Sequence, residues 1–221
     1  MVPRTDDDVR RDLCKAGRRL HELGHTPATS GNLSVRLDPW RIMITPTGVS
    51  KGDMAPEDMV VISPEGLHRF GRKRASSETP MHLMVYKLRP DVGAVVHAHP
   101  VKATSFACAG LSLSRPLSSE VVMGVGKIPL AKYGAPGTNE LAESMKHLIP
   151  DHNAILMGNH GAVTYGKTLF DARGRLEVVE HYAEIVLGTY ALGRQTVLDA
   201  AELRKLDEMI RKYTTSTTKW D

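Results

Sequence analysis

The sequence predicts an α/β fold, a single domain over residues 1–221 in which a central sheet is flanked by helices. Three observations predict it. The spacing of apolar residues switches between a helical period and a period of two several times along the chain. The resulting elements run helix, several strands, helix, strand, helix, strand, two helices. No internal repeat, low-complexity tract or linker-like break interrupts them. With 41% hydrophobic and 24% charged residues, wholesale disorder is excluded.

The first helix is carried by Val9, Leu13, Ala16, Leu20 and Leu23, whose spacing gathers them on one face. Thr5 and the run Asp6–Asp8 supply its cap and favourable charge, and Gly24 ends it. Alternation then predicts strands over Leu33–Leu37 and Ile42–Ile44, closed by the turn Thr45-Pro46-Thr47-Gly48. Val60–Ile62 is a third strand, followed by the turn Ser63-Pro64-Glu65-Gly66. A second helix starts near Pro80, with Thr79 as its cap, and stops at Pro90. Its buried face is Met81, Met84, Val85 and Leu88. Val92–His99 reads as a strand with Val95, His97 and His99 on one side. Short helices are expected over Val101–Ala109 and Thr138–Leu148, strands over Ala154–Met157 and Ala162–Tyr165, and long helices over Thr168–Leu192 and Asp199–Tyr213.

Composition narrows the function. The net charge of +4 comes from 29 basic residues scattered among 25 acidic ones, and aromatics are only 5%. That pattern lacks the basic patch interleaved with stacking residues that nucleic-acid binders use. No apolar run approaches the roughly 18 residues of a membrane span. The start carries three aspartates instead of a leader's apolar core, and two cysteines cannot build a disulfide framework. A cytoplasmic protein is expected, without nucleic-acid or membrane partners.

Among residues able to do chemistry, His97-Ala98-His99 stands out, because strand residues two apart face the same way and both rings can meet one metal ion. For the pair alone, ordinary hydrogen-bonded histidines at a strand end are the commoner reading. His160, in Gly158-Asn159-His160-Gly161, supplies a third ring, and three histidines with an open position are a common catalytic-zinc set. A cupin-type site would require an acid shortly after the pair, and Pro100–Cys108 contains none. His21 and His25 are expected to be solvated, and His68, His82, His147, His152 and His181 to be structural or exposed. Ser76-Ser77-Glu78 precedes a helix N-terminus, where hydroxyls and free N–H groups suit an anion, although capping alone accounts for such residues. Ser30-Gly31-Asn32 and Thr47-Gly48 are ordinary turn residues that can also cradle a phosphate.

Taken together, Ser30-Gly31-Asn32-Leu33-Ser34, Thr45-Pro46-Thr47-Gly48, Ser76-Ser77-Glu78, His97-Ala98-His99 and Asn159-His160-Gly161 resemble the class II aldolase/adducin family, most of all its L-fuculose-1-phosphate aldolase branch. They occur in the family's order over about 130 residues. The resemblance implies a mostly antiparallel sheet, zinc held by His97, His99 and His160, and Glu78 as the catalytic acid/base. It implies a substrate phosphate held by Gly31, Asn32, Thr47, Gly48, Ser76 and Ser77. It further implies a homotetramer with sites at subunit boundaries. The reaction expected is cleavage of a ketose 1-phosphate to dihydroxyacetone phosphate and an aldehyde, with the divalent ion offsetting charge on the ketone oxygen.

One departure stands out. The fuculose phosphate enzymes use a tyrosine, from the stretch before Ile128-Pro129, at the aldehyde end of the bond. Here Leu117–Lys127 holds none, its polar residues being Ser118, Ser119, Glu120 and Lys127. Tyr133 and Tyr213 come later, and Tyr213 is the better substitute because that branch also uses a tyrosine near the chain end. An epimerase of the family would carry a further histidine near its C-terminus, and none follows His181. Dehydratases and decarboxylases of related sugar phosphates use the same metal chemistry. A non-catalytic adducin-like module would lack the three histidines.

Overall fold

The computed structural model describes residues 4–213. Its centre is an eight-stranded sheet: β1 (Asn32–Asp38), β2 (Arg41–Ile44), β3 (Val60–Ile62), β4 (His68–Phe70), β5 (Ala94–Ala98), β6 (Leu130–Ala131), β7 (Ala154–Met157) and β8 (Gly161–Gly166). Their order is β4-β3-β2-β1-β5-β8-β7-β6. Every pairing is antiparallel except β6 with β7, in accord with the mostly antiparallel sheet expected.

Two apolar layers sandwich this sheet. On one face α1 (Asp6–Glu22), α3 (Val101–Cys108), α4 (Ser119–Gly124) and α6 (Leu169–Ala191) pack Leu13, Leu20, Phe106, Val122, Leu176 and Val179 onto Leu33, Met43, Val96 and Leu156. On the other, α2 (Thr79–Leu88) and α5 (Asn139–Met145) pack Met81, Val85, Leu141 and Met145 onto Ile42, Ile44, Val95, Ile155 and Val163. Alternating strand residues feed the two layers, which is the physical content of the period of two. The last helix, α7 (Ala200–Tyr213), packs against α4. No helix among the described residues is long and apolar enough to cross a membrane.

Local chemistry accounts for the boundaries. α1 opens with a reciprocal capping box between Thr5 and Asp8, and α6 with one between Thr168 and Asp171. Two strands and one α-helix escaped the sequence reading, namely β4 and β6, of three and two residues, and α4, of six. They are too short for a period to show, and β4 is an exposed edge strand with no buried face. The strand expected from Val92 begins at Ala94, and the helix expected over Thr138–Leu148 spans only Asn139–Met145.

Two local expectations are corrected. His25 is buried, not solvated: its carbonyl accepts from His99 N, which draws the turn after α1 inward. Thr79 is the first residue of α2, and the capping position belongs to Glu78, whose side chain makes no capping bond. That carboxylate is occupied elsewhere.

Candidate metal centre and active site

Pairing register brings four loops to one end of the sheet. Asn32 at the start of β1 lies opposite His97 near the end of β5. Ile44 at the end of β2 lies opposite Ser34, and Ala98 lies opposite Ala162 at the start of β8. The loops before β1, after β2, after β5 and between β7 and β8 therefore open together. A fifth joins them, because Pro46 and Ala75 form a bridge, Thr47 N donates to Arg74 O, and Ser76 N donates to Thr45 O.

The three histidines converge there. Ring centroids of His97 and His99, and of His97 and His160, are each 4.8 Å apart, and those of His99 and His160 5.1 Å. One ligand atom from each lies within 4.8 Å of the others. His97 Nδ1 sits 2.9 Å from the Ala162 carbonyl, so in the neutral ring the proton is on Nδ1 and the Nε2 lone pair is directed inward. His97 Nε2 is 3.0 Å from His99 Nε2.

Backbone crowding fixes this geometry. A Cβ at Gly161 would stand 2.6 Å from the Ala98 carbonyl and from His99 Cδ2, so glycine lets β8 and the ring meet. Gly31, at φ +73°, approaches His97 O so closely that a Cβ would be 2.9 Å away. Asn159 takes the left-handed conformation, φ +54°, in the turn that presents His160.

Glu78 faces the cluster from the start of α2. Its Oε2 is 3.1 Å from His97 Nε2 and its Oε1 3.3 Å from His160 Nε2. Burial alone would raise its pKa, but the charge and hydrogen bond of His97 and the Asn32 amide outweigh that and hold the carboxyl far below the usual range. His97 is correspondingly raised: burial opposes its charge, and Glu78 more than offsets burial. Burial, together with the neighbouring histidines, lowers His99 to about 3 and His160 to about 4, so both are neutral and able to ligate at pH 7. Positive charge is thus favoured only on His97, where Glu78 faces it, and is disfavoured on the other two rings. Glu78 Oε1, buried, has no hydrogen-bond partner among the described residues. Three imidazoles and an adjacent carboxylate, in this arrangement, fit a divalent transition-metal ion.

The loops expected to hold phosphate are adjacent. Thr47, Gly48 and Ser77 are exposed, while Gly31 and Ser76 are buried. The Ser30 hydroxyl is buried without a hydrogen-bond partner among the described residues. Asn32 has both ends of its amide engaged, Nδ2 donating to Glu78 Oε2 at 2.6 Å and Oδ1 facing His82 Nε2 at 2.6 Å. Below the loops, buried Lys51 donates from Nζ to Thr29 O and Val49 O, tying the first loop to the second. Burial pushes that ammonium down to about 8. Tyr133 is exposed in the loop after β6, and Tyr213 ends α7 with its side chain outside the described residues. The tyrosine-free stretch forms α4, where Ser118 Oγ donates to Glu120.

The sequence reading passed over His82, which is wholly buried against Ser34 and Asn32. A signal was present. Glu78, His82 and Tyr86 recur every four residues, and Asn32 and Ser34 every two, so a polar helix stripe faces a polar strand stripe.

Comparison with known proteins identifies the family. Residues 11–187 match the model of the Class II Aldolase and Adducin N-terminal domain. The chain is 35% identical to a 3-oxo-tetronate 4-phosphate decarboxylase of Haemophilus influenzae, over 82% of this chain and 88% of that one. It is 33% identical to a 5-methylthioribulose-1-phosphate/5-deoxyribulose-1-phosphate aldolase of Rhodospirillum rubrum, over 93% and 92% respectively. A solved L-fuculose 1-phosphate aldolase superposes with a TM-score of 0.86 at 33% identity, covering 92% of this chain and 96% of that one. The chain belongs to the class II aldolase and adducin family.

Proposed function

We propose that the protein is a zinc-dependent carbon–carbon lyase acting on a small phosphorylated ketone, and that the bond it breaks is the one to a carboxylate. The observation that carries the metal-dependent part is the convergence of His97, His99 and His160 beside an ionised, half-unpartnered Glu78. When bound, the ion supplies a Lewis acid that offsets the negative charge developing on the substrate's ketone oxygen.

The chain's own groups do the rest. Gly31, Thr47, Gly48, Ser76 and Ser77, with the buried Ser30 hydroxyl, form the phosphate cradle, and the Lys51 ammonium lies behind it. Holding the phosphate fixes the ketone against the histidines, so orientation is settled before any bond breaks. Asn32 ties the inner edge of the cradle to Glu78. Glu78 exchanges a proton with the carbon next to the ketone. For a 3-oxo acid phosphate the balance is simple: the carboxylate departs as carbon dioxide, its bonding pair stays on that carbon, and one proton taken up through Glu78 completes the ketone phosphate.

The stretch Leu117–Lys127 bears on the leaving group. Aldol cleavage requires a group to take the hydroxyl proton at the aldehyde end, whereas carbon dioxide leaves without that transfer. A stretch with no tyrosine, folded as α4 with Ser118 and Glu120 bonded to each other, suits the second case. The relative from Haemophilus influenzae bears a name of that chemistry. Cleavage of a ketose 1-phosphate is the second reading, favoured by the likeness to the two aldolases, with Tyr213 at the aldehyde end. For either reading we propose a cytoplasmic homotetramer with sites at subunit boundaries, the assembly being what the family resemblance implies and the location what the low cysteine content favours.

The test incubates metal-replete protein with 3-oxo-tetronate 4-phosphate and, separately, with a panel of ketose 1-phosphates, and follows release of dihydroxyacetone phosphate. Turnover of the acid alone is expected. Turnover of a ketose 1-phosphate instead would establish the second reading. Glu78→Gln should retain metal and lose activity with either substrate, and an active Glu78→Gln enzyme would remove the acid/base assignment.

A further inference from the structure

Behind Glu78 runs a chain of buried polar groups: Glu78 Oε2, Asn32, His82, Ser34 and Tyr86. Its links measure 2.6 Å from Asn32 Nδ2 to Glu78, 2.6 Å from His82 Nε2 to Asn32 Oδ1, 2.7 Å from Ser34 Oγ to His82 Nδ1, and 2.8 Å from Tyr86 OH to Ser34 Oγ. Asn32, Ser34, His82 and Tyr86 are at most 6% exposed. Left unpaired, each such group would cost about 1–3 kcal/mol, so the chain has strong reason to stay closed.

Elementary donor and acceptor rules then give every bond one direction. An ionised carboxylate only accepts, so Asn32 presents its NH₂ to Glu78 and its carbonyl to His82. A carbonyl only accepts, so His82 carries its proton on Nε2. Neutral His82 therefore accepts at Nδ1, and Ser34 must donate there. With its hydrogen committed, the Ser34 oxygen accepts from Tyr86. A flipped Asn32 would set its carbonyl against the carboxylate and break the chain at both ends.

We infer that His82, backed by Ser34 and Tyr86, is a positioning residue for Glu78: the directed chain pins Oε2 through Asn32 and leaves Oε1 as the oxygen that exchanges protons with substrate. The inference rests on the reading of Glu78 as acid/base. It adds residues that touch neither substrate nor metal and that act through a fixed tautomer. Neither His99 nor His160 is built this way. The carboxylate that must move a proton is thereby oriented before substrate arrives, which limits reorganisation during reaction.

The test has a spectroscopic and a kinetic arm. Nitrogen-15 NMR of histidine-labelled, metal-replete protein should show His82 with a pyrrole-type Nε2 and a pyridine-type Nδ1. His82→Gln keeps an N–H for Asn32 and a carbonyl for Ser34, and should retain most of kcat. His82→Leu keeps bulk alone, and Ser34→Ala removes one hydroxyl two residues behind the contact. Each should lower kcat on the order of tenfold or more, with KM and metal content unchanged. A proton on His82 Nδ1 overturns the chain, as does wild-type kcat in a folded Leu variant. If the Leu variant does not fold, Ser34→Ala decides, and unchanged kcat there overturns the proposal. Should Nε2 carry the proton while Glu78→Gln remains active, the acid/base reading of Glu78 has failed and not the chain.

Discussion

Gly161→Ala is the sharpest perturbation of the proposed metal centre, because it adds a single methyl where the structure has no room. Gly161 opens β8, and its ideal Cβ would lie 2.6 Å from Ala98 O, 2.6 Å from His99 Cδ2 and 3.3 Å from His97 Cε1. Comfortable contact between carbon atoms is about 3.5–4.0 Å, so roughly 1 Å must be found. The Ala98 carbonyl cannot supply it cheaply, since Ala98 is paired with Ala162 in the β5–β8 ladder. Overpacking of this kind costs about 1–3 kcal/mol, which for a chain of this length lowers the melting temperature by roughly 3–10 °C. The displacement falls on His99, so metal affinity should fall at least about tenfold, and activity by up to about a hundredfold. Thermal unfolding of metal-free protein and competition with a chromogenic chelator measure the two effects separately. Unaltered metal affinity in Gly161→Ala would refute the claim that this contact seats the His99 ring.

Three further outcomes follow from the same structure. Gly188 is an exposed helical glycine in α6 whose added Cβ would meet nothing within 4 Å, so Gly188→Ala should stabilise by about 1 kcal/mol in urea unfolding without touching activity. Glu180 on α6 accepts from Lys102 N at 3.0 Å and Ala103 N at 2.9 Å, capping α3 just beyond His99. Glu180→Ala should therefore cost about 2–3 kcal/mol, with Glu180→Gln intermediate, in the same measurement. Burial, then the His97 charge, depress His82 from 6.5 to about 3, with Glu78 opposing them and Tyr86 also on its helix. The unfolded chain thus binds the extra proton first. This contribution to stability is intact above pH 6.5 and is lost as pH falls toward 3, by up to about 5 kcal/mol. The stability difference between wild type and His82→Gln should change across that interval and stay flat above it, as read by urea titrations at several pH values.

Much of this was legible in the sequence, for reasons that can be named. The α1 face, the His97/His99 side of β5 and the antiparallel sheet's central strands are local facts: 3.6 and 2.0 are periods of the backbone itself, and enough residues sampled them. The convergence of His97 and His99 was legible because His-x-His on a strand already sets two rings on one side. β4, β6 and α4 were not legible, being shorter than the window in which a period can be counted. Nor were the burial of His25, the release of Glu78 from capping, or the chain through His82, although its four-and-two spacing was in plain view. Sequence alone determined which residue types were present at which intervals. Only the tertiary structure decided which polar groups lost their water, because desolvation depends on what packs on top, and that comes from residues 46 to 52 positions away in the chain.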